Sequence, residues 1–390
     1  MSTNILRIPY GTKDILPGEA RLKRKMEDQI ADNFLSWGYD EAITPTFEYA
    51  DTFALSGAGI TEESMKFMDR ESRTMILRTE MTTPLARMVA TRLKADKGIK
   101  RLFYIANVFR HEQTQAGRQC EFSQAGIELI GAAAPMADAE VLALAVSSLR
   151  AAGLTDFLLS VGHSGFLAGL MEEAELTGTR AEFVKHMVLS HNAVGLKEAA
   201  DSYIRKPVKE LFRELLYLQG GVDLLDQLER QVSNEKSKEA LRNLKAIYQL
   251  ASAYGVGDYL SFDLSLIRDF DYYTGMVFEA YAPHIGFNIC GGGRYDKMME
   301  NFGAPAPATG FAMGIDRIIL SLQREGKFNQ ESKWDIYVAW APGHQQQAIA
   351  KAMSLRADGK NVKVATDALT PEEADKACAA NRCEAVAYVR

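Results

Sequence analysis

Phe109-Arg-His-Glu-Gln-Thr-Gln-Ala-Gly-Arg-Gln-Cys-Glu-Phe-Ser-Gln-Ala-Gly-Ile-Glu-Leu-Ile-Gly131 is the stretch from which the rest of the chain can be read. Two runs rich in β-formers, Leu102 to Val108 and Phe122 to Ile130, flank a polar Gln-Thr-Gln-Ala-Gly-Arg segment. That pattern predicts two antiparallel strands joined by a loop. On the second strand Phe122, Gln124, Gly126 and Glu128 alternate, so they share one face. This face carries an aromatic ring, an amide, a position without a side chain and a carboxylate. Arg110 and Glu112 stand at the end of the first strand and Arg118 in the loop. The combination suits a small polar ligand lying on a sheet, with arginines at the rim for an anionic group.

The remainder of the chain supplies the frame. A length of 390 residues corresponds to about two or three domains. With 47% hydrophobic and 25% charged residues the composition is that of an ordinary globular protein. A net charge of −6 argues against binding nucleic acid through bulk electrostatics. There is no long apolar run and no signal segment at the start, so a cytoplasmic location and no membrane are expected. Cys120, Cys290, Cys378 and Cys383 form no zinc-like pairs, and His186 and His191 are five apart, so no metal is expected. Cys378 and Cys383 are read as reduced thiols on one helix.

In chain order, apolar spacing predicts a helix from Glu19 to Trp37 ended by Gly38, then a strand over Ala42–Phe47 with an awkward Pro45. Lys66–Asp69 and Thr74–Arg78 read as a hairpin. Thr82 or Thr83 is expected to cap a helix with Pro84 in its first turn, leaving Glu80 at the junction. A helix over Asp138–Ala152 and a strand over Phe157–Val161 follow, and the pattern from Phe166 to Tyr254 is almost wholly helical. Strands resume at Ser261–Ile267 and through Arg268–Tyr281. Next come the triple glycine of Phe287–Asp296 and Thr309–Leu320, where Arg317 enters a helix. Tyr272 and Phe278 also suit the sheet core, and Arg294 and Asp296 are placed to pair. From Asp335 onward strand and helix alternate as in a small parallel α/β unit.

Phe-Arg-His-Glu, Gln-Ala-Gly-Arg and Glu-Phe-Ser-Gln-Ala-Gly-Ile-Glu together resemble motif 2 of class II histidyl-tRNA synthetases. Gly310-Phe-Ala-Met-Gly-Ile-Asp-Arg317 is similar to their motif 3. Arg268-Asp-Phe-Asp-Tyr-Tyr273 and Gly291-Gly-Gly-Arg-Tyr-Asp296 are similar to their histidine signatures. The resemblance implies an α+β fold with a mostly antiparallel sheet flanked by helices. It implies a catalytic-like domain over 1–330, with a helical insertion at 163–258, and a truncated anticodon-binding-like α/β domain over 331–390. It also implies a histidine pocket: Glu80, Thr82 and Gln124 on the α-amino group, Glu128 and Tyr273 on the imidazole with Tyr272 beside them, and Arg268 on the carboxylate. Arg110, Glu112, Arg118, Phe122 and Arg317 would mark a vestigial nucleotide or phosphate site.

The sequence departs from the synthetase pattern. Arg78-Thr-Glu-Met-Thr82 replaces Arg-Pro-Glu-Gly-Thr, and Gln113-Thr114 and Gln119-Cys120 stand where the motif 2 loop carries arginines and an aromatic. The tail after Asp335 is short. Arg78-Thr-Glu-Met-Thr-Thr83, Tyr272–Tyr281 and Phe302–Gly310 instead resemble the paralogous family of ATP phosphoribosyltransferase regulatory subunits. That resemblance implies no catalysis by this chain and no cofactor. It implies a hetero-oligomer, expected as a hetero-octamer, with a short-form catalytic subunit, a self-dimer through the catalytic-like domain, histidine as effector and no tRNA. A truncated histidyl-tRNA synthetase is the alternative, and a free-standing histidine sensor a further one. No apolar strand runs into paired acids and small hydroxyl residues, so the phosphoribosyl-pyrophosphate site is expected on the partner.

Overall fold

The computed structural model describes residues 6–56, 62–111, 119–205, 208–267, 272–328 and 334–390. Two compact units emerge: Met1–Asp14 with Lys25–Lys327, and Ile15–Arg24 with Phe328–Arg390. The second unit thus takes in a short piece of N-terminal chain besides the tail.

The first unit is built on a nine-stranded sheet, antiparallel at its centre. The hairpin read from sequence forms its second and third strands: Lys100–Phe109 pairs with Glu121–Ile130, from Lys100 opposite Ile130 to Phe109 opposite Glu121. Ala308–Gly314, Cys290–Arg294, Met276–Tyr281 and Leu158–His163 continue the antiparallel array in that order. Leu260–Asp263 then joins parallel, and Asp40–Glu41 joins parallel at the far edge.

Strand alternation separates core from pocket. One transverse row reads Phe103, Ile127, Phe311, Gly292, Phe278. It faces the core, where Phe34 of the helix Pro17–Ser36 packs 5.4 Å from Phe103 and 6.0 Å from Phe311 between ring centroids. The next row reads Leu102, Glu128, Gly310, Gly293, Val277 and faces the other way. Burying the large rings on one face drives the sheet together, and glycines on the other leave room above it. Phe278 is core, as expected.

The helix Pro135–Ala151 is apolar nearly all round, which fits its burial against the back of the sheet. Its Asp138 holds the glycine strand there. Arg294 donates from Nε to Asp138 Oδ2 at 3.1 Å and lies 3.0 Å from Oδ1, while its Nη1 reaches Asp296 at 3.1 Å. The expected Arg294–Asp296 pair is therefore real, and Asp138 is the larger part of it.

Several local expectations are corrected. Ala42–Phe47 is not a strand; only Asp40–Glu41 and Phe47–Tyr49 are. Pro45 offers no N–H, and the buried Arg78 guanidinium takes the carbonyls of Thr44 and Pro45. Neither threonine side chain caps the helix Thr82–Arg92. The 163–258 segment is helical in six stretches of six residues or more, but it opens on the last residue of a strand. It also contributes the two-residue strand Gln219–Gly220, which pairs with Leu260–Asp263.

In the second unit Trp334–Trp340 lies between Val362–Val364 and Cys383–Val389, all parallel. Ala348 and Ala352 of the helix Gln345–Ala357 pack on Val338 and Val362. Ala374 and Cys378 of the helix Pro371–Ala380 pack on Tyr337 and Ala339 of the opposite face. Thr370 and Glu373 form a capping box there, as the sequence Thr-Pro-Glu-Glu allows. Cys378 lies in the last turn of this helix but Cys383 begins a strand, so the two do not share a helix; the Cys378 thiol points at the Cys383 carbonyl, 3.3 Å away.

Candidate functional site

A cavity of about 320 Å³ opens on the glycine-lined face of the sheet. Its floor exists because side chains from one strand lie across glycines of the next. A Cβ at Gly310 would collide with Glu128 Oε2 and the Ile127 carbonyl. One at Gly126 would collide with the Tyr104 hydroxyl and the Phe311 carbonyl. Gly293, at φ +155°, leaves the space beside Tyr273. Gly293, from the triple glycine read as a place of close approach, and with it Gly126 and Gly310, are therefore seats for named side chains.

Glu128 sits deepest and is 2% exposed. The Tyr295 hydroxyl donates to its Oε2, and the Thr82 hydroxyl lies near enough to favour its charged form. Burial pushes the carboxyl up to about 8 against the opposing pull of those two hydroxyls, and the Glu80 charge adds to the rise. Burial likewise raises the Tyr104, Tyr272 and Tyr295 phenols well above the ordinary range. Tyr272 stacks on Tyr295 at 5.5 Å and meets Tyr273 edge-on at 4.7 Å. The deep corner is thus a carboxyl walled by phenols.

Glu80 sits where the chain turns from strand to helix. Its carboxylate accepts the Thr82 N–H at 2.5 Å and the Thr83 N–H at 3.1 Å. It does the capping expected of the threonines, because Met81, at the cap position, has no oxygen to offer. Gln124 Oε1 is buried in the wall without a hydrogen-bond partner among the described residues. A buried amide oxygen left in that state calls for a donor.

The mouth carries the arginines. Arg110 donates from Nε to the Thr79 carbonyl at 2.7 Å, its guanidinium 5.5 Å from the Phe122 ring centroid. Arg317, in the first turn of the helix Ile315–Arg324, donates to the Asn288 carbonyl at 2.8 Å and to its Oδ1 at 2.6 Å. Glu80, Thr82, Gln124, Glu128, Tyr272 and Tyr273 all line this one cavity, as do Arg110, Phe122 and Arg317. Glu112, Arg118 and Arg268 lie outside the described residues. Tyr104, Asn288 and Tyr295 line it too, and the site reading missed them. Tyr295 continues the alternation of Gly291 and Gly293, a signal present in the sequence; Tyr104 is revealed only by its register opposite Gly126.

Chemically, the cavity offers carboxyl groups and an amide oxygen to a ligand rich in N–H donors, and guanidinium groups at the mouth. Its volume suits a molecule of amino-acid size, near the lower end of about 300–1,000 Å³ for ligand pockets.

The family model described as histidyl-tRNA synthetase matches residues 11–318. A solved histidyl-tRNA synthetase from Nostoc sp. PCC 7120 shares the fold, at TM-score 0.84 and 21% identity over 97% of this chain and 90% of its own. The architecture is therefore α+β of the class II histidyl-tRNA synthetase kind. An "ATP phosphoribosyltransferase regulatory subunit/histidyl-tRNA synthetase" from Bacillus halodurans C superposes at TM-score 0.88, with 32% identity and 99% of each chain covered. The ATP phosphoribosyltransferase regulatory subunit of Desulforamulus reducens is 40% identical over 96% of this chain and 93% of its own length. The chain belongs to the family of ATP phosphoribosyltransferase regulatory subunits.

Proposed function

We propose that this regulatory subunit performs no chemistry itself, that it is needed for the activity of a short-form catalytic subunit in the first step of histidine biosynthesis, and that histidine in the Glu80–Tyr273 pocket conveys feedback inhibition. The observation carrying this reading is the deep corner, where Glu128 and the Gln124 oxygen, without a partner among the described residues, face one amino-acid-sized cavity. Glu80, Thr82 and Gln124 would take the α-ammonium. Glu128 and Tyr273 would take the imidazole, with Tyr272 packed beside them, and Arg268 the carboxylate. An ammonium and an azole N–H both need acceptors, and a carboxylate is well matched by a guanidinium. Arg110, Glu112, Arg118, Phe122 and Arg317 would be the remnant of a nucleotide or phosphate site.

Histidine acts as an effector only if it binds two states of the assembly with different affinity. In this reading closure of the pocket around the ligand supplies that difference. The working form is a hetero-oligomer, taken as a hetero-octamer, in which this chain also dimerises through its catalytic-like domain. It needs no tRNA and works in the cytoplasm. Among the described residues no helix is long and apolar enough to cross a membrane.

The test mixes the purified chain with a short-form catalytic subunit and follows phosphoribosyl-ATP formation with and without histidine, alongside tRNA charging by the chain alone. Transferase activity that needs the mixture and falls with histidine, without charging, is the expected result. Charging with no effect on the transferase would make the chain a truncated histidyl-tRNA synthetase instead.

A further inference from the structure

Two of the four cysteines, Cys120 and Cys290, are buried in the larger unit, whereas Cys378 and Cys383 meet in the smaller one. Cys378 lies in the last turn of the helix Pro371–Ala380, and Cys383 opens the strand Cys383–Val389. Both side chains pack in one apolar cluster with Tyr337 and Ala339. The Cys378 thiol donates to the Cys383 carbonyl at 3.3 Å, and the two thiols lie near enough to act on each other's ionisation. The Cys383 sulfur in turn lies 3.8 Å from the Asn381 carbonyl.

The turn between the two cysteines is fixed by its surroundings. Asn381 donates to the Ala377 carbonyl from its backbone N–H at 2.8 Å and from Nδ2 at 2.9 Å. Lys363 Nζ donates to the Asn381 carbonyl and Oδ1, each at 3.2 Å. Arg382 stands at φ +53°, a left-handed conformation that is unfavourable for a residue with a Cβ. Its N–H donates to the Ala379 carbonyl at 3.0 Å, and its own carbonyl accepts from the Trp334 N–H at 2.9 Å. A turn pinned in this way holds the end of the helix against the start of the strand, and the two sulfurs with them. Backbone strain that the surroundings maintain so firmly is a pointer to function.

We propose that Cys378 and Cys383 form a reversible thiol–disulfide site that reacts with a small-molecule disulfide such as oxidised glutathione. Burial raises both thiols, so they rest in the protonated form. Cys383 is half-buried and Cys378 buried, so the reagent meets Cys383 first. The Cys383 thiolate attacks one sulfur of the small disulfide, which forms a mixed disulfide and releases one small thiol. Cys378 then gives up its proton and attacks the Cys383 sulfur, which forms the Cys378–Cys383 bond and releases the second small thiol. The chain loses two electrons and two protons, and the small disulfide gains both. The new bond ties the helix to the strand within one apolar cluster. In a reducing compartment such a bond is transient, as in a redox sensor. The site is independent of the histidine pocket and of the reading given to it.

The test treats the folded full chain with oxidised glutathione, blocks the remaining thiols with iodoacetamide, and reads the intact mass and the peptide map. The parent chain should lose two of its four thiols, Cys378 and Cys383, to one bond within the chain. No glutathione should be retained, and dithiothreitol should reverse the change. Cys378→Ser should stop at a glutathione adduct on Cys383, and Cys383→Ser should leave Cys378 unmodified over the same time. Circular dichroism checks that both variants are folded. Glutathione retained on the folded parent chain, a bond between two chains, or an untouched Cys383 would overturn the proposal. So would reaction of Cys120 or Cys290 at the same rate, since the pair would then have no special reactivity.

Discussion

The deep corner and the mouth of the pocket use charged groups in opposite ways. At the bottom, among the described residues, Glu128 accepts from the Tyr295 hydroxyl and Gln124 Oε1 has no partner. At the mouth, Arg110 and Arg317 already hold the Thr79 and Asn288 carbonyls. The bottom carries acceptor capacity that a ligand would complete; the mouth uses its cations to brace the protein. The two ends of one cavity therefore differ in how much hydrogen-bonding capacity they leave open.

Removing the deep acceptor should break the contrast most severely. Glu128→Ala is expected to weaken histidine binding about 100-fold, in line with roughly 2–5 kcal/mol for truncating one partner of a buried charge-assisted pair. Titration calorimetry on the folded variant reads this directly. Filling its seat should come next. Gly310→Ala forces a methyl group onto Glu128 Oε2 and the Ile127 carbonyl, and about 1–3 kcal/mol of stability should be lost, seen as a lower midpoint in urea.

The raised Glu128 carboxyl gives a pH signature of similar size. Its folded-state value, about 8, lies above the ordinary 4.5, so the ligand-free protein binds this proton more tightly than the unfolded chain does. The resulting stability is present below about pH 4.5 and is lost as pH rises through 8, on the order of a few kcal/mol. Thermal unfolding between pH 5 and 9 should show this decline, and Glu128→Gln should flatten it. His163 bends the acid side the other way: burial lowers it to about 4, so stability falls as pH drops from about 6.5. Comparing the variant with the parent cancels that contribution.

The smallest effect belongs to the mouth. Arg110→Ala and Arg317→Ala should each leave histidine affinity within about threefold and cost about 1 kcal/mol of stability, the usual net value of a hydrogen bond. A large loss of affinity in either variant would erase the distinction between the two ends.

Much of this was legible in the chain. The alternation of Phe122, Gln124, Gly126 and Glu128 points to both the hairpin and the side that faces the cavity, because strand periodicity leaves no choice of face. The alternating tail was equally readable. What stayed hidden depended on contacts distant in sequence. Nothing near Pro45 announces that Arg78 will take the carbonyls of a would-be strand. Glu80 displaces the threonines as cap because its carboxylate folds back onto the helix, a matter of geometry rather than propensity. Tyr104 belongs to the site through its cross-strand partner Gly126, a pairing that only register reveals.

The most direct test is calorimetric titration of histidine into the purified chain alone, with Glu128→Ala and an Arg110→Ala, Arg317→Ala double variant beside it. The account predicts saturable binding of about one histidine per chain, lost in the first variant and kept in the second, as expected of a preformed pocket. No binding to the folded parent chain, or equal loss in both variants, would contradict it.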